Sequence, residues 1–335
     1  MSFVTFGEIM LRLTPALHGE KLRTTEQFNV NFAGSESNVA SSLAVLENDV
    51  SFITKLPDHA IGDHAIQSLN SYGIYTKNII RGSGRIGTYF IEIGASIRPS
   101  SVIYDRSGSV FSQIGTSEFD WDLIFRDKKY LFISGITAAL SDQCAAELIK
   151  CVETAKKHNI LIGFDMNYRR KLWKDAQQAR IIFDKILPMT DILFGNSGVL
   201  DDVYGIKPKT QHLLEATLES INIAKKHFGI EQYAFTIRNH LSASKNELQG
   251  VFYTENNSSI SKKYTVDILD RFGTGDAFAA GCLHGIGKRW TPQQLIEFGT
   301  AAFALKHTIY GDQHTSTLSE INAIADGHTS GHVLR

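Results

Sequence analysis

The segment Asp270-Arg271-Phe272-Gly273-Thr274-Gly275-Asp276 places two glycines around one small residue, with a carboxylate directly after them. The small and apolar residues that follow, up to Lys288, predict a helix. Glycine lets backbone approach a ligand closely and adopt positive φ. The N–H groups of such a turn and those at the helix start together make a nest for an anion. A carboxylate at the mouth of an anion site needs a task. Taking the proton from a hydroxyl that attacks a phosphoryl group is one. An Asp N-cap after a glycine turn is the structural alternative, and spacing alone does not separate the two.

A second small-residue loop, Ala33-Gly34-Ser35-Glu36-Ser37-Asn38, also feeds a helix. Gly34 permits close approach of a ligand, and the Asn38 amide both donates and accepts. The competing reading is an imperfect capping box from Ser35 to Asn38. Arg98, Tyr104, Asp105 and Arg106 lie in a β-rich stretch, and Arg169 and Arg170 follow the apolar run that ends at Asp165. Arginine grips carboxylate or phosphate with a two-pronged fork, although most surface arginines only face water. Gly82-Ser83-Gly84-Arg85-Ile86-Gly87 matches GxGxxG but precedes a strand-like run, so a loop or hinge is expected rather than a dinucleotide site. No P-loop, HExxH or GxSxG pattern is present. The histidines show no ligand spacing and are read as structural.

The elements that must position these residues alternate. Strand-like runs at 3–6, 50–56, 130–134, 160–165, 191–194 and 232–237 are separated by helical patterns at 37–47, 61–72, 141–158, 175–187 and 211–227. This order implies βαβ units and one doubly wound, mainly parallel sheet with helices on both faces. Residues about 11–33 and 86–111 break the rhythm and read as antiparallel strands, a candidate lid whose edge could pair with a second subunit. A further helix runs from Pro292 at N1, after Thr291, to about 307, and the tail from Gly327 is polar. The 335 residues are read as a single domain, 1–335. With 34 Lys+Arg against 35 Asp+Glu, the net charge of −1 argues against a general nucleic-acid or membrane surface. No signal peptide or membrane span is evident, and Cys144, Cys151 and Cys282 lack metal spacing, so a reducing, cytoplasmic setting is expected. The glycosylation sequon Asn256-Asn257-Ser258 finds no support in that setting.

Asp270–Gly281 resembles the C-terminal signature of the ribokinase-like (PfkB) sugar kinases, and Gly34–Asn38 is similar to their N-terminal one. The resemblance covers essentially the whole chain, lid included. The stretches 94–106 and 165–173 resemble the 2-keto-3-deoxygluconate kinase group, implying phosphorylation by ATP of a keto-deoxy sugar acid at its terminal hydroxyl. It further implies that Asp276 is the base and that Gly273, Thr274 and Gly275 form the anion hole. Gly34, Asn38, Tyr89, Tyr104, Arg106, Arg169 and Asp312 would contact substrate, with Arg106 and Arg169 clamping its carboxylate. Asn196, Thr236 and Arg238, together with Gly273 and Gly275, would lie near the nucleotide. Arg271 and Thr274 replace the usual Thr and Ala of the signature. Val199 stands where the family's N-x-x-E motif carries the glutamate that organises Mg2+, which leaves the metal ligands unassigned unless Asp201 or Asp202 substitutes. Mg2+ is still expected with ATP. A neutral-sugar kinase and a weakly catalytic sensor are the rival readings. A homo-oligomer paired through the lid is expected, and Asp276 is expected to be ionised at neutral pH because a helix N-terminus favours the charged form.

Overall fold

A computed structural model describes residues 1–255 and 257–331. The sequon's Asn256 and the last four residues of the polar tail lie outside them. Fifteen strands are described: β1 Ser2–Phe6, β2 Met10–Pro15, β3 Phe28–Ala33, β4 Asp49–Ile53, β5 Lys55–Pro57, β6 Ile80–Gly82, β7 Thr88–Glu92, β8 Ser101–Asp105, β9 Tyr130–Ser134, β10 Leu161–Asp165, β11 Ile192–Gly195, β12 Gln232–Ser242, β13 Lys245–Thr254, β14 Asn257–Ile260 and β15 Tyr264–Asp267. The α-helices are α1 Ser35–Val45, α2 Ala60–Ser71, α3 Trp121–Phe125, α4 Gly135–Ala138, α5 Asp142–Lys157, α6 Ala176–Ile186, α7 Ser197–Tyr204, α8 Leu213–Phe228, α9 Thr274–Gly287, α10 Pro292–Lys306 and α11 Leu318–Ala325.

The main sheet runs β14-β13-β12-β11-β10-β9-β1-β4, with β15 also on β13. Its six strands from β4 to β12 are parallel, and β13, β14 and β15 add an antiparallel edge. Side chains along a strand alternate faces, so a strand covered on both sides must be apolar throughout. Phe132 of β9 packs on the face holding α1, α9 and α10, while Leu131 and Ile133 pack on the face holding α5 and α6. In β11, Ile192 and Phe194 take the first face and Leu193 the second. The chain goes from β1 to one neighbour, β4, and later fills the other side with β9. The strand order therefore reverses at β1, and a crevice opens at the carboxyl ends of β1, β9 and β10.

Four strands form the separate small sheet, in the order β3-β2-β7-β8. It draws on both segments expected to form the lid, although its central pair, β2 and β7, is parallel rather than antiparallel. The strand expected over 50–56 is divided, because β5 leaves the main sheet to pair with β6. Thr291 and Gln294 close a full capping box around Pro292, as the Thr-Pro pair predicts. Cys144 and Cys151 are buried on α5 and Cys282 on α9, all free thiols.

Candidate active site

The Asp276 carboxylate sits in the first turn of α9, only 9% exposed. Ser35 Oγ donates to its Oδ1 at 2.8 Å, and Asn38 Nδ2 donates to its Oδ2 at 2.7 Å. Ser35 is the first residue of α1 rather than its N-cap, which is Gly34, and Asn38 Oδ1 accepts the Gly34 N–H at 3.4 Å. The capping-box reading is thus replaced by a bridge between two helix starts. Asn167, held at φ 34°, completes the chain by donating from Nδ2 to Ser35 Oγ at 3.1 Å. Gly34 is extended, and a Cβ there would overlap the Glu8 carbonyl oxygen.

Burial raises the Asp276 carboxyl to about 7, against the hydrogen bonds from Asn38 and Ser35, with Asp165 and Asp312 adding to the rise. The expectation of a fully ionised Asp276 at neutral pH is therefore corrected. Loss of water outweighs the helix dipole, and the group sits near its midpoint. Such a carboxyl suits a general base at physiological pH.

Gly273 is the α9 N-cap at φ 71°, a left-handed value natural to glycine. A Cβ there would overlap the Asp312 carbonyl oxygen, so the loop and the 310–313 segment are packed backbone to backbone. The N–H groups of the first turn of α9 have no intrahelical partners and face the crevice-side start of the helix. Thr274 Oγ1 donates to the Arg271 carbonyl at 3.1 Å and accepts from Arg238 Nη2 at 2.8 Å.

A cavity of about 490 Å³ opens beside this loop. Arg169, Asn196, Thr236, Arg238 and Gly273 through Asp276 all line it, so the expected nucleotide and base residues do converge. Arg169 is exposed at the cavity, and its side chain makes no hydrogen bond or ion pair among the described residues. Arg106 does not line it. Its guanidinium is buried against Glu8, which also takes Ser109 Oγ, and lies 5.7 Å from the Tyr104 ring centroid. Tyr104 in turn stacks on Tyr89 at 6.0 Å. Arg106 is thus already charge-compensated, unlike the open arginine that the clamp expectation required.

Tyr89 and Asp312 meet, but around a residue that sequence reasoning missed. Arg12, on lid strand β2 and 2% exposed, donates from Nη1 to Asp312 at 2.8 Å and from Nη2 to Asp270 at 2.6 Å. Tyr89 Oη donates to the same Asp312 oxygen at 2.6 Å. Burial opposes the charge of Arg12, but Asp312 and Asp270 outweigh it and raise its pKa. Asp270 also accepts the N–H groups of Phe272 and Gly311, tying lid, glycine loop and 310–313 segment into one unit. Lys306, fully buried, donates to the Ile309 carbonyl at 2.8 Å, and burial lowers its pKa against the opposing charges of Asp270 and Asp312. Ser35 and Asn167 were also missed, although both sit inside motifs whose neighbours were chosen.

The position that the family's metal motif would fill differs. Asn196 caps α7 by accepting from the Val199 N–H at 3.1 Å. The half-buried Val199 faces the cavity. Asp202 pairs with Arg170, and Asp201 lies 3.7 Å from Lys207, with neither lining the cavity. Neither therefore substitutes for the missing glutamate. Among the described residues no group of three His, Cys, Asp or Glu is placed to hold a metal ion.

Comparison with known proteins agrees with this geometry. The family model described as pfkB family carbohydrate kinase matches residues 2–318. The crystal structure of 2-dehydro-3-deoxygluconokinase from Thermotoga maritima superposes with a TM-score of 0.95 at 35% identity, covering 98% of each chain. A PfkB family carbohydrate kinase from Listeria grayi gives 0.92 at 31%, over 97% of this chain and 100% of its own. The 2-dehydro-3-deoxygalactonokinase of Haloferax volcanii is 28% identical over 98% of each chain. A match that runs from the first strand to the start of the last helix places the molecule: this chain belongs to the pfkB family of carbohydrate kinases.

Proposed function

We propose that this kinase transfers phosphate from ATP to the terminal hydroxyl of a keto-deoxy sugar acid, 2-keto-3-deoxygluconate, giving the 6-phosphate. The observation that carries the reading is Asp276, a carboxyl buried to a pKa of about 7 at a helix start and held by Ser35 and Asn38. Asp276 takes the proton of the terminal hydroxyl as that oxygen attacks. The Gly273–Gly275 backbone and the α9 N-terminus stabilise the charge that develops on the transferred group. ATP supplies the phosphoryl group, and Mg2+ arriving with it neutralises part of its charge. Thr236, Asn196 and Arg238 border the nucleotide. On the acceptor side stand Gly34, Asn38, Tyr89, Tyr104, Arg106 and Asp312.

The unpaired Arg169 supports an acid substrate, and the Thermotoga relative's name agrees with it. The Haloferax relative is named for the galacto epimer, so the hydroxyl configuration is the second variable to test. Arg106, compensated by Glu8, leaves Arg169 as the single open arginine of the pair for the acid's carboxylate. We expect a panel of gluco and galacto keto-deoxy acids to be turned over, with fructose and ribose far slower. Arg169→Ala should raise KM for the acids about tenfold or more while barely moving it for neutral sugars. Equal effects on both classes would overturn the acid reading. A second copy would pair through the lid's exposed apolar positions, Val30 and Ile103 among them, and the free buried thiols fit a reducing cytoplasm. No helix among the described residues is long and apolar enough to cross a membrane.

A further inference from the structure

Three guanidiniums, Arg169, Arg238 and Arg271, line the cavity beside the glycine loop. Of the residues lining it, only Asp165 and Asp276 are carboxylates. Asp276 is already held by Ser35 and Asn38, and Asp165 accepts the Asn167 N–H at 2.9 Å. No carboxylate pairs with Arg238 or Arg271 among the described residues. Their recorded hydrogen bonds go to neutral oxygens, Thr274 Oγ1 and the Ala243 carbonyl at 3.0 Å. The Nε of each is buried without a partner. Burial, helped by the neighbouring Arg271 and Arg169, lowers Arg238 to about 10, and burial also lowers Arg271 against the opposing charge of Asp270.

A folded chain does not gather partly buried like charges with open donors unless something anionic is to join them. Val199 lines the same cavity and offers no side-chain oxygen to a hydrated cation. The donor set thus fits a polyphosphate directly and fits a protein-organised Mg2+ poorly, since Mg2+ takes oxygen ligands in near-ideal octahedral geometry.

We propose that Arg271, paired with Arg238, is a phosphate-binding residue that neutralises the nucleotide's β and γ phosphates, supplying directly the positive charge that a carboxylate-organised Mg2+ would otherwise bring. The inference rests on the kinase reading above and names how its nucleotide is held. Arg271 stands two positions before Gly273 and lines the same cavity as the Gly273–Gly275 turn, so a phosphate in that nest shares the cavity with its fork.

The test is calorimetric binding of ATP, ADP and AMP to the full chain, in excess Mg2+ and again in EDTA, with no sugar present. The native protein should keep ATP affinity within about tenfold when Mg2+ is removed. Arg271→Thr should lose about tenfold or more for ATP in EDTA, progressively less for ADP and AMP, and regain part of it in Mg2+. Arg271→Lys should retain a share of the ATP affinity. A role confined to holding the Ala243 carbonyl would weaken all three nucleotides alike, and that result overturns the proposal. So does native protein that binds ATP only with Mg2+, a measurement that needs no variant. Protein that binds no nucleotide even in Mg2+ would instead remove the kinase reading itself. Failure of the sugar-acid panel alone leaves these binding results standing.

Discussion

A carboxyl with a pKa of about 7 is half protonated at neutrality, and only its ionised half can accept a proton. Asp276 binds its proton more tightly than a free carboxyl does, so activity is present above the raised value and lost below it. We expect kcat/KM to fall tenfold per pH unit below about 7. Asp276→Asn should lower kcat by roughly 10²–10⁴ and abolish that acid limb while leaving nucleotide affinity in place. A variant with native turnover would remove the base assignment. Asp276 and Asn38 were legible because glycine spacing is local information. Glu8 was not, since it meets Arg106 across 98 positions. Nor was Arg12, an ordinary basic residue in a strand until it meets Asp270 and Asp312, 258 and 300 positions away.

At the scale of elements, the glycine turn works because two backbones touch. Gly273→Ala adds a methyl group where the Asp312 carbonyl stands, at a φ of 71° that alanine adopts at a cost. We expect a loss of about 3 kcal/mol or more in urea denaturation, together with loss of nucleotide binding. Unchanged denaturation would mean that the 310–313 segment yields easily. The buried parallel strands and long helices were readable because each carries one period over many residues. The 245–267 edge escaped because β13 is polar at its start and its order comes from three partners, β12, β14 and β15. Helix α7 is short, and the Asn196 that opens it looked like a ligand position rather than a cap.

At the scale of the whole molecule, the Arg12 network is the strongest tie between the lid and the glycine loop. Arg12→Met would leave Asp270 and Asp312 buried without their cation. Removing one partner of a buried pair costs about 3–5 kcal/mol, which a chemical denaturation curve resolves. A midpoint equal to the native one would show that Lys306 alone suffices to hold the two carboxylates. The broad plan, one doubly wound sheet with a lid, followed from alternation of period. The joint between the two parts did not, because a side chain's partner across the fold leaves no periodic trace.

That joint also orders events in time. Asp270 and Asp312 are translated 258 and 300 residues after Arg12. At about 5–20 residues per second, β2 and β3 can pair within seconds, yet the first of these carboxylates, Asp270, follows Arg12 by roughly thirteen seconds or longer. Until Asp270 arrives, the nascent lid lacks both carboxylates that hold Arg12 in the folded chain. A chain released before residue 270 would hold a lid that cannot close, and chaperone dependence should concentrate on truncations ending between β8 and Asp270.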